Sequence, residues 1–117
     1  MASLNDILGL VYDSVGTAIR TTDTAARPAT AVQTTVAGSA STGVLKALNA
    51  ARMGLAVFND STANLYLAFA ATATTSAFVV KIAAGGYYEL PSPVYTGVVS
   101  GIWDAANGNA RVTEVTA

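Results

Sequence analysis

The sequence predicts an all-β protein, a compact and jelly-roll-like β-sandwich of about eight short strands preceded by an N-terminal arm. Apolar and polar residues alternate with period two from about residue 32 onward, whereas a helix would need a period of 3.6. Turn-forming Gly, Pro, Asn and Asp residues separate these runs. A length of 117 residues suits one ordinary domain. We therefore divide the chain into an arm with its linker, residues 1–31, and a β-sandwich domain, residues 32–117.

The arm follows a different pattern from the rest of the chain. Its apolar side chains recur at helical spacing, at Leu4, Ile7, Leu8, Val11, Tyr12 and Val15. Ser3 and Asp6 are spaced to cap a first helical turn, which favours a short amphipathic helix. Gly9, Gly16 and several β-branched residues weaken that helix, so an extended arm remains an alternative.

The β domain divides into short strands whose alternation assigns a core face. The predicted strands are Gln33–Ala37, Gly43–Leu48, Gly54–Asn59, Asn64–Ala70, Ala77–Ala83, Tyr87–Leu90, Val98–Trp103 and Ala110–Thr116. Leu65, Leu67 and Phe69 share one face of their strand, and we assign that face to the core. The same alternation continues in the next strand, whose core face comprises Phe78, Val80 and Ile82.

The connections between the strands carry recognisable turn residues. Gly85-Gly86 predicts a tight turn. Pro91 and Pro93 have no N–H for a strand ladder, so we expect them at an edge or in a connection. Asn107-Gly108 is a strong two-residue hairpin signal and predicts that the strand ending at Trp103 pairs with the next one.

The composition argues against most chemistry. The chain has no His and no Cys, so it has no Ser-His-Asp or Cys-His nucleophile system and none of the commonest zinc ligands. Asp60, Ser61 and Asn64 have oxygen atoms suited to a cation, but a turn whose Asp and Asn bond the local backbone is the favoured interpretation. We expect a non-enzymatic protein that needs no cofactor and no metal.

Nucleic-acid and membrane partners are also not predicted. The six Lys and Arg residues are scattered, and the formal net charge is -1, whereas a nucleic-acid groove needs several converging basic groups. Residues 61–80 carry no charge and are about long enough to cross a bilayer. Polar residues interrupt that stretch and strand-like alternation runs through it, so we assign it to the sheet.

The low charge content points to association with other protein. Only 11% of the residues are charged, whereas soluble domains usually carry about a quarter. The segments 61–80 and 90–103 carry no charge at all. We therefore expect a contact surface on the strands of these segments as well as on the arm.

Four aromatic residues are candidates for an interface or a sugar-binding site, because Tyr and Trp combine a large rigid ring with a polar tip. They are Tyr87, Tyr88, Tyr95 and Trp103. Strand alternation places Tyr87 and Tyr88 on opposite faces, so one is expected in the core and the other at the surface. Core packing is the favoured role of Trp103, with an interface contact and carbohydrate stacking as alternatives.

Several short motifs in residues 42–117 carry a resemblance to a known module. They are Arg52-Met53-Gly54, Phe58-Asn59-Asp60-Ser61, Leu65-Tyr66, Gly86-Tyr87-Tyr88-Glu89, Gly101-Ile102-Trp103 and Ala110-Arg111-Val112-Thr113-Glu114. This part of the chain resembles a small β module that recurs in virion proteins of tailed bacteriophages. The motifs consist of turn and packing residues and include no catalytic signature.

The resemblance implies an accessory virion protein: a capsid decoration (cement) protein, a head fibre or a tail-associated piece. We expect a homotrimer on the outside of the capsid that bridges neighbouring major capsid subunits, made in the cytoplasm of the bacterial host. Its anchoring residues are expected in the arm, at Leu4, Ile7, Leu8, Val11 and Tyr12. The alternative is a head-fibre or tail adhesin that binds a host-surface glycan through Tyr87, Tyr95 or Trp103.

Overall fold

The structure, a computed structural model, describes residues 27–117. The predicted anchor residues Leu4, Ile7, Leu8, Val11 and Tyr12 lie outside the described residues.

Residues 27–117 form eight strands in two antiparallel four-stranded sheets. The strands are β1 (Thr30–Ala37), β2 (Gly43–Lys46), β3 (Gly54–Asp60), β4 (Leu65–Ala68), β5 (Val80–Ile82), β6 (Tyr87–Glu89), β7 (Val99–Trp103) and β8 (Asn109–Thr116). Sheet 1 has the order β1-β8-β3-β6, and sheet 2 has the order β2-β7-β4-β5. The prediction of an all-β sandwich is confirmed.

The strand order is that of a jelly roll. The first strand pairs with the last, β2 with β7, β3 with β6, and β4 with β5, all antiparallel. The chain thus behaves as one long hairpin rolled into two sheets, and consecutive pairs alternate between them. Partners from opposite ends of the chain lie side by side in both sheets.

The core fills the space between the two sheets. Val57 and Val112 reach it from sheet 1, and Leu65, Leu67 and Val99 reach it from sheet 2, each at most 1% exposed. The alternation in β4 therefore places Leu65 and Leu67 as predicted. Each such side chain stabilises the fold by about 1.5–3 kcal/mol through removal from water.

The Asn107-Gly108 turn does not close a hairpin, and that prediction is wrong. The strand before it, β7, lies in sheet 2, and the strand after it, β8, lies in sheet 1. Gly108 has the positive φ of 60° that its turn signal implies. Its carbonyl accepts from the N–H of Gly38 at 2.9 Å, so the segment joins the β1 side of sheet 1. The local turn chemistry was correct, but it carries no information about which sheet receives the next strand.

The expected core position of Phe78 is also wrong. Strand β5 begins only at Val80, and the Phe78 side chain is 42% exposed. Its ring meets the outward-facing Tyr66 edge-on, with 5.0 Å between centroids. The reason is local, because the Thr74 hydroxyl accepts the N–H of Ala77 at 2.9 Å and closes a turn that interrupts the ladder. Period-two alternation holds only where the ladder continues.

Phe69, also predicted in the core, is only partly buried. It follows the end of β4 and is half-buried, packed against the core rather than inside it. Its ring stacks on Tyr95, with 4.7 Å between centroids and 8° between planes.

Candidate binding surface

Trp103 has a structural role, in agreement with the favoured interpretation of its sequence context. Its side chain is 2% exposed at the end of β7. The indole Nε1 donates to Asn59 Oδ1 at 3.3 Å. The ring is therefore not available to stack on a sugar.

Tyr87 and Tyr88 point to opposite faces of β6, as predicted. Tyr88 packs against the core, whereas Tyr87 is 62% exposed. Tyr95 is half-buried and one face of its ring is covered by Phe69. Of the four predicted aromatic residues, Tyr87 alone is exposed.

The outer face of sheet 1 brings partners to Tyr87 that the sequence did not single out. Thr35, Arg111, Phe58 and Tyr87 are successive neighbours across β1, β8, β3 and β6. We call these four residues the aromatic row. Phe58 is 39% exposed, because the neighbouring positions in β3 point into the core. The sequence did contain a signal for this. Leu55, Val57 and Asn59 alternate on the core face of β3, which predicts that Phe58 points outward.

Arg111 is held in place within this row. Its Nη2 lies 2.9 Å from Asp60 Oδ2, and its Nε donates to the same oxygen at 3.0 Å. Nη1 donates to the Thr35 hydroxyl at 3.2 Å. A groove of about 250 Å³ lies along β1 and β8. It is lined by Gln33, Thr34, Thr35, Arg111, Val112 and Thr113.

The outer side of sheet 2 presents a different surface. We call it the uncharged face and define it as Val44 of β2 together with residues 69–79 between β4 and β5. Val44 is 52% exposed, Phe78 is 42% exposed and Val79 is 47% exposed. Residues 69–79 consist of Ala, Thr, Ser, Phe and Val, so this face carries no charged side chain of its own.

Residues 69–79 fold back over the sheet. The Ala73 N–H donates to the Thr42 hydroxyl at 2.8 Å, which ties the connection to the segment before β2. Ala73 is 2% exposed, and Ser100, an outward-facing residue of β7, is fully buried. The connection therefore forms the outer surface at this position.

Charged groups lie at the margin of the uncharged face. Lys81 on edge strand β5 is the ladder neighbour of Tyr66. A hydrogen bond to Asp104, with partial desolvation and the negative charge of that carboxylate, raises the pKa of the Tyr66 hydroxyl above its ordinary value. Tyrosine is uncharged near neutral pH at its ordinary pKa, and this shift moves the ionisation of Tyr66 still further from that range.

A buried ion pair was not anticipated from the sequence. Arg52 is 3% exposed, and its Nε lies 2.7 Å from Glu114 Oε2. Its remaining donors reach the carbonyl oxygens of Ala47 at 2.8 Å and of Tyr95 and Gly97 at 2.9 Å. The guanidinium thus ties β8 to two connections between strands.

The pKa of Glu114 reflects two opposing effects. Burial by itself raises it, whereas hydrogen bonds from Arg52 and Asn49 and the positive charges of Arg52 and Lys46 lower it. The net result is a pKa below the ordinary value of a glutamate. Glu114 is consequently ionised at neutral pH and paired with Arg52.

Asn59 forms a second buried polar centre. Its Nδ2 is within hydrogen-bonding distance of the carbonyl oxygens of Ala63 at 2.7 Å, Ile82 at 2.9 Å and Ala83 at 3.2 Å. Its Oδ1 accepts from Trp103 and from the Ser61 hydroxyl. The amide therefore connects the two sheets. In the turn that follows, local backbone bonding holds for Ser61, which bonds the backbone of Ala63. It is wrong for Asp60 and Asn64, because Asp60 accepts from Arg111 and Asn64 donates to Asp104.

Within residues 27–117, no three or more Asp and Glu side chains lie close enough together to hold a metal ion. The same residues include no helix with the length and hydropathy of a membrane span.

Comparison with known proteins gives no relative. No family model, no curated protein and no solved structure matches this chain.

Proposed function

We propose that this chain is a non-enzymatic structural protein of a phage virion, a capsid decoration protein that binds the outside of the capsid and stabilises contacts between major capsid subunits. The observation that carries the proposal is the uncharged face of sheet 2. It combines exposed Val44, Phe78 and Val79 with a connection made of small polar and apolar residues.

The chemistry of this face favours a protein partner. The buried centres of protein interfaces are depleted of charged residues, because each buried charge must be desolvated. Docking of the uncharged face removes valine and phenylalanine surface from water and desolvates only hydroxyl and backbone groups. A rigid jelly roll presents such a face without reordering, and a lattice of capsid subunits repeats the contact many times.

Two further arguments support the same proposal. The sequence motifs resemble a β module of tailed-phage virion proteins, and Arg52, Asn59, Trp103 and Glu114 of those motifs are packing residues. The jelly roll also occurs in viral capsid domains, which is an analogy at the level of the fold.

A binding assay with emptied phage capsids tests the proposal. The native protein is expected to bind saturably and to raise the temperature at which the capsids disrupt. Val44→Lys places a charge on the uncharged face and is expected to weaken binding at least tenfold, about 1.4 kcal/mol. Tyr87→Lys, on the opposite sheet, is the matched control and should bind normally. Failure of the native protein to bind would contradict the proposal.

A second candidate is an adhesin that binds a host-surface glycan, and the aromatic row favours it. Exposed Tyr87 lies beside Phe58, and Arg111 lies on the other side of Phe58, so two rings and a guanidinium share one surface. Rings stack on the apolar faces of sugars, and a guanidinium donates to their hydroxyl or carboxylate oxygens.

Binding to whole host cells distinguishes this candidate. An adhesin should bind cells, lose that binding in Tyr87→Ala, and keep it in Val44→Lys. Cell binding that Tyr87→Ala leaves unchanged, or no cell binding by the native protein, would remove the aromatic row as a glycan site.

A further inference from the structure

Strand β1 is an unusual sheet edge. It pairs with β8 over eight consecutive residues with no register shift, and among residues 27–117 no strand pairs with its other side. Its sequence, Thr30 to Ala37, contains no charge, no Pro and no Gly. Monomeric proteins usually protect an edge with charge, Pro, a bulge or a very short strand.

The other three edge strands have such protection. Strand β6 has three residues, one of them Glu89, and Pro91 follows soon after it. Strand β5 has three residues, with Lys81 in the middle. Strand β2 shifts register between Val44 and Lys46. Among the edge strands of residues 27–117, β1 alone offers a long and uncharged row of backbone groups without a register shift.

The register with β8 identifies the free backbone groups. The Gly38 N–H donates to the Gly108 carbonyl at 2.9 Å, and this bond continues the register of Ala37 with Asn109. In an antiparallel ladder, facing pairs alternate between hydrogen-bonded and non-hydrogen-bonded. Even-numbered residues of β1 therefore bond to β8, and the odd-numbered ones direct N–H and C=O to the open side. These are Ala31, Gln33, Thr35 and Ala37.

We propose that a second copy of this chain pairs antiparallel with β1, so that two copies of sheet 1 join into one continuous sheet around a two-fold axis. The free N–H and C=O groups of odd-numbered residues in one copy must pair with those of odd-numbered residues in the other. One register pairs all four: Ala31 faces Ala37 of the second copy, and Gln33 faces Thr35 of the second copy. Thr34 then lies on the axis and faces itself.

The side chains suit this register. On the inner face, Val32 is 49% exposed in the single chain and comes to lie opposite Val36 of the second copy, which covers apolar surface. Within residues 27–117 the buried Thr34 hydroxyl has no hydrogen-bond partner, and the second Thr34 provides a donor and an acceptor beside it. Because β1 contains no charged residue, this pairing brings no like charges together across the axis.

Symmetry is the reason for choosing a second copy over another occupant. A two-fold contact uses the same strand twice and closes, so it consumes the edge and leaves none for further addition. The uncharged face lies on sheet 2 and stays accessible in the dimer. The dimer therefore does not rest on capsid binding, and it differs from the trimer that the phage resemblance implies.

Cysteine cross-linking tests the register, because the full chain has no Cys of its own. In Thr34→Cys the two sulfhydryl groups face each other across a pair with Cα atoms about 4.5 Å apart, within disulfide range. Val32→Cys is the matched control. Position 32 is more exposed than position 34. In the proposed register, however, the two cysteines introduced at position 32 are four residues apart along the strands, about 13 Å.

Mild oxidation of the full-length protein should convert Thr34→Cys to a covalent dimer on a non-reducing gel and leave Val32→Cys monomeric. No dimer of Thr34→Cys, or equal cross-linking of both variants, would overturn the proposed register.

Introducing charged residues into β1 tests the contact itself, with sedimentation as the measurement. Gln33→Lys with Thr35→Lys places two Lys–Lys pairs across the axis and should weaken the dimer about tenfold or more. Gln33→Glu with Thr35→Glu should do the same, and an equimolar mixture should form a heterodimer. Recovery on mixing also shows that both variants are folded. A native protein that sediments as a monomer or trimer, or a mixture that fails to associate, would overturn the proposal.

Discussion

Arg52 and Glu114 form an ion pair that is almost entirely enclosed, with their side chains 0% and 8% exposed and 2.7 Å between Nε and Oε2. The pair lies beside the core, where β8 meets the connections around Ala47 and Gly97. Buried charges are tolerated only when paired and fully hydrogen-bonded, and carbonyl oxygens complete the shell of Arg52. The stability of the sandwich depends on keeping this set intact.

Loss of one partner of this pair should be costly. Glu114→Gln leaves the buried guanidinium without its counter-charge, and we expect a loss of about 3–5 kcal/mol in the free energy of unfolding. Asp60→Asn breaks the exposed pair with Arg111, whose side chains are 46% and 54% exposed, and should cost about 1 kcal/mol or less. Urea unfolding of both variants measures the difference. Equal losses would contradict the structural role of Arg52.

The same carboxylate predicts a pH dependence of stability. The pKa of Glu114 is lower in the folded protein than in the unfolded chain, so the unfolded state binds more protons in the acid range. Its contribution is complete above the unfolded pKa and is lost as the pH falls through the folded pKa. We expect the free energy of unfolding to decline below about pH 4.5, the ordinary pKa of a glutamate. In Glu114→Gln that decline should be shallower, and an unchanged slope would argue against the assignment.

Asn59 should be intolerant of an isosteric change. Asn59→Asp replaces the amide donor with a carboxylate oxygen facing the carbonyl oxygens of Ala63 and Ile82, and leaves these buried acceptors unsatisfied. Each such group costs about 1–3 kcal/mol, so we expect a loss of at least 2 kcal/mol. Asn64→Ala removes an exposed hydrogen bond to Asp104 and should cost about 1 kcal/mol or less. Thermal unfolding of the two variants compares the sites.

Alanine substitutions at three glycines should form a graded series. Gly43→Ala meets open space and should be near neutral. Gly85→Ala also meets open space, but at a φ of +75° it should cost about 1–2 kcal/mol. Gly108→Ala adds a clash to a φ of +60°, because the new Cβ overlaps the Asp60 carbonyl and lies 2.6 Å from Ser61 Cα. It should be the most destabilising of the three in urea unfolding, and a different order would contradict the turn geometry.

Much of the local structure was predictable, and the errors arose where a strand ladder stops or where distant segments meet. Alternation correctly placed Leu65 and Leu67 in the core and put Tyr87 and Tyr88 on opposite faces, because pleating alone decides which side a strand residue takes. It failed at Phe78, where a turn interrupts the ladder before β5 begins. The same alternation could have predicted that Phe58 is exposed, because its neighbours in β3 point into the core. Nothing local showed that Arg111 and Tyr87 would become neighbours of Phe58.

The sequence by itself determined the all-β class, the strand positions to within a few residues, and the scarcity of charge in segments 61–80 and 90–103. These properties follow from side-chain periodicity and composition, which are local. Only the tertiary structure decided the jelly-roll order, the Arg52–Glu114 pair and the position of β1 at the edge of the sheet that residues 27–117 form. Each depends on pairing between distant parts of the chain, and the free energy of such pairing depends on the whole core rather than on any short segment.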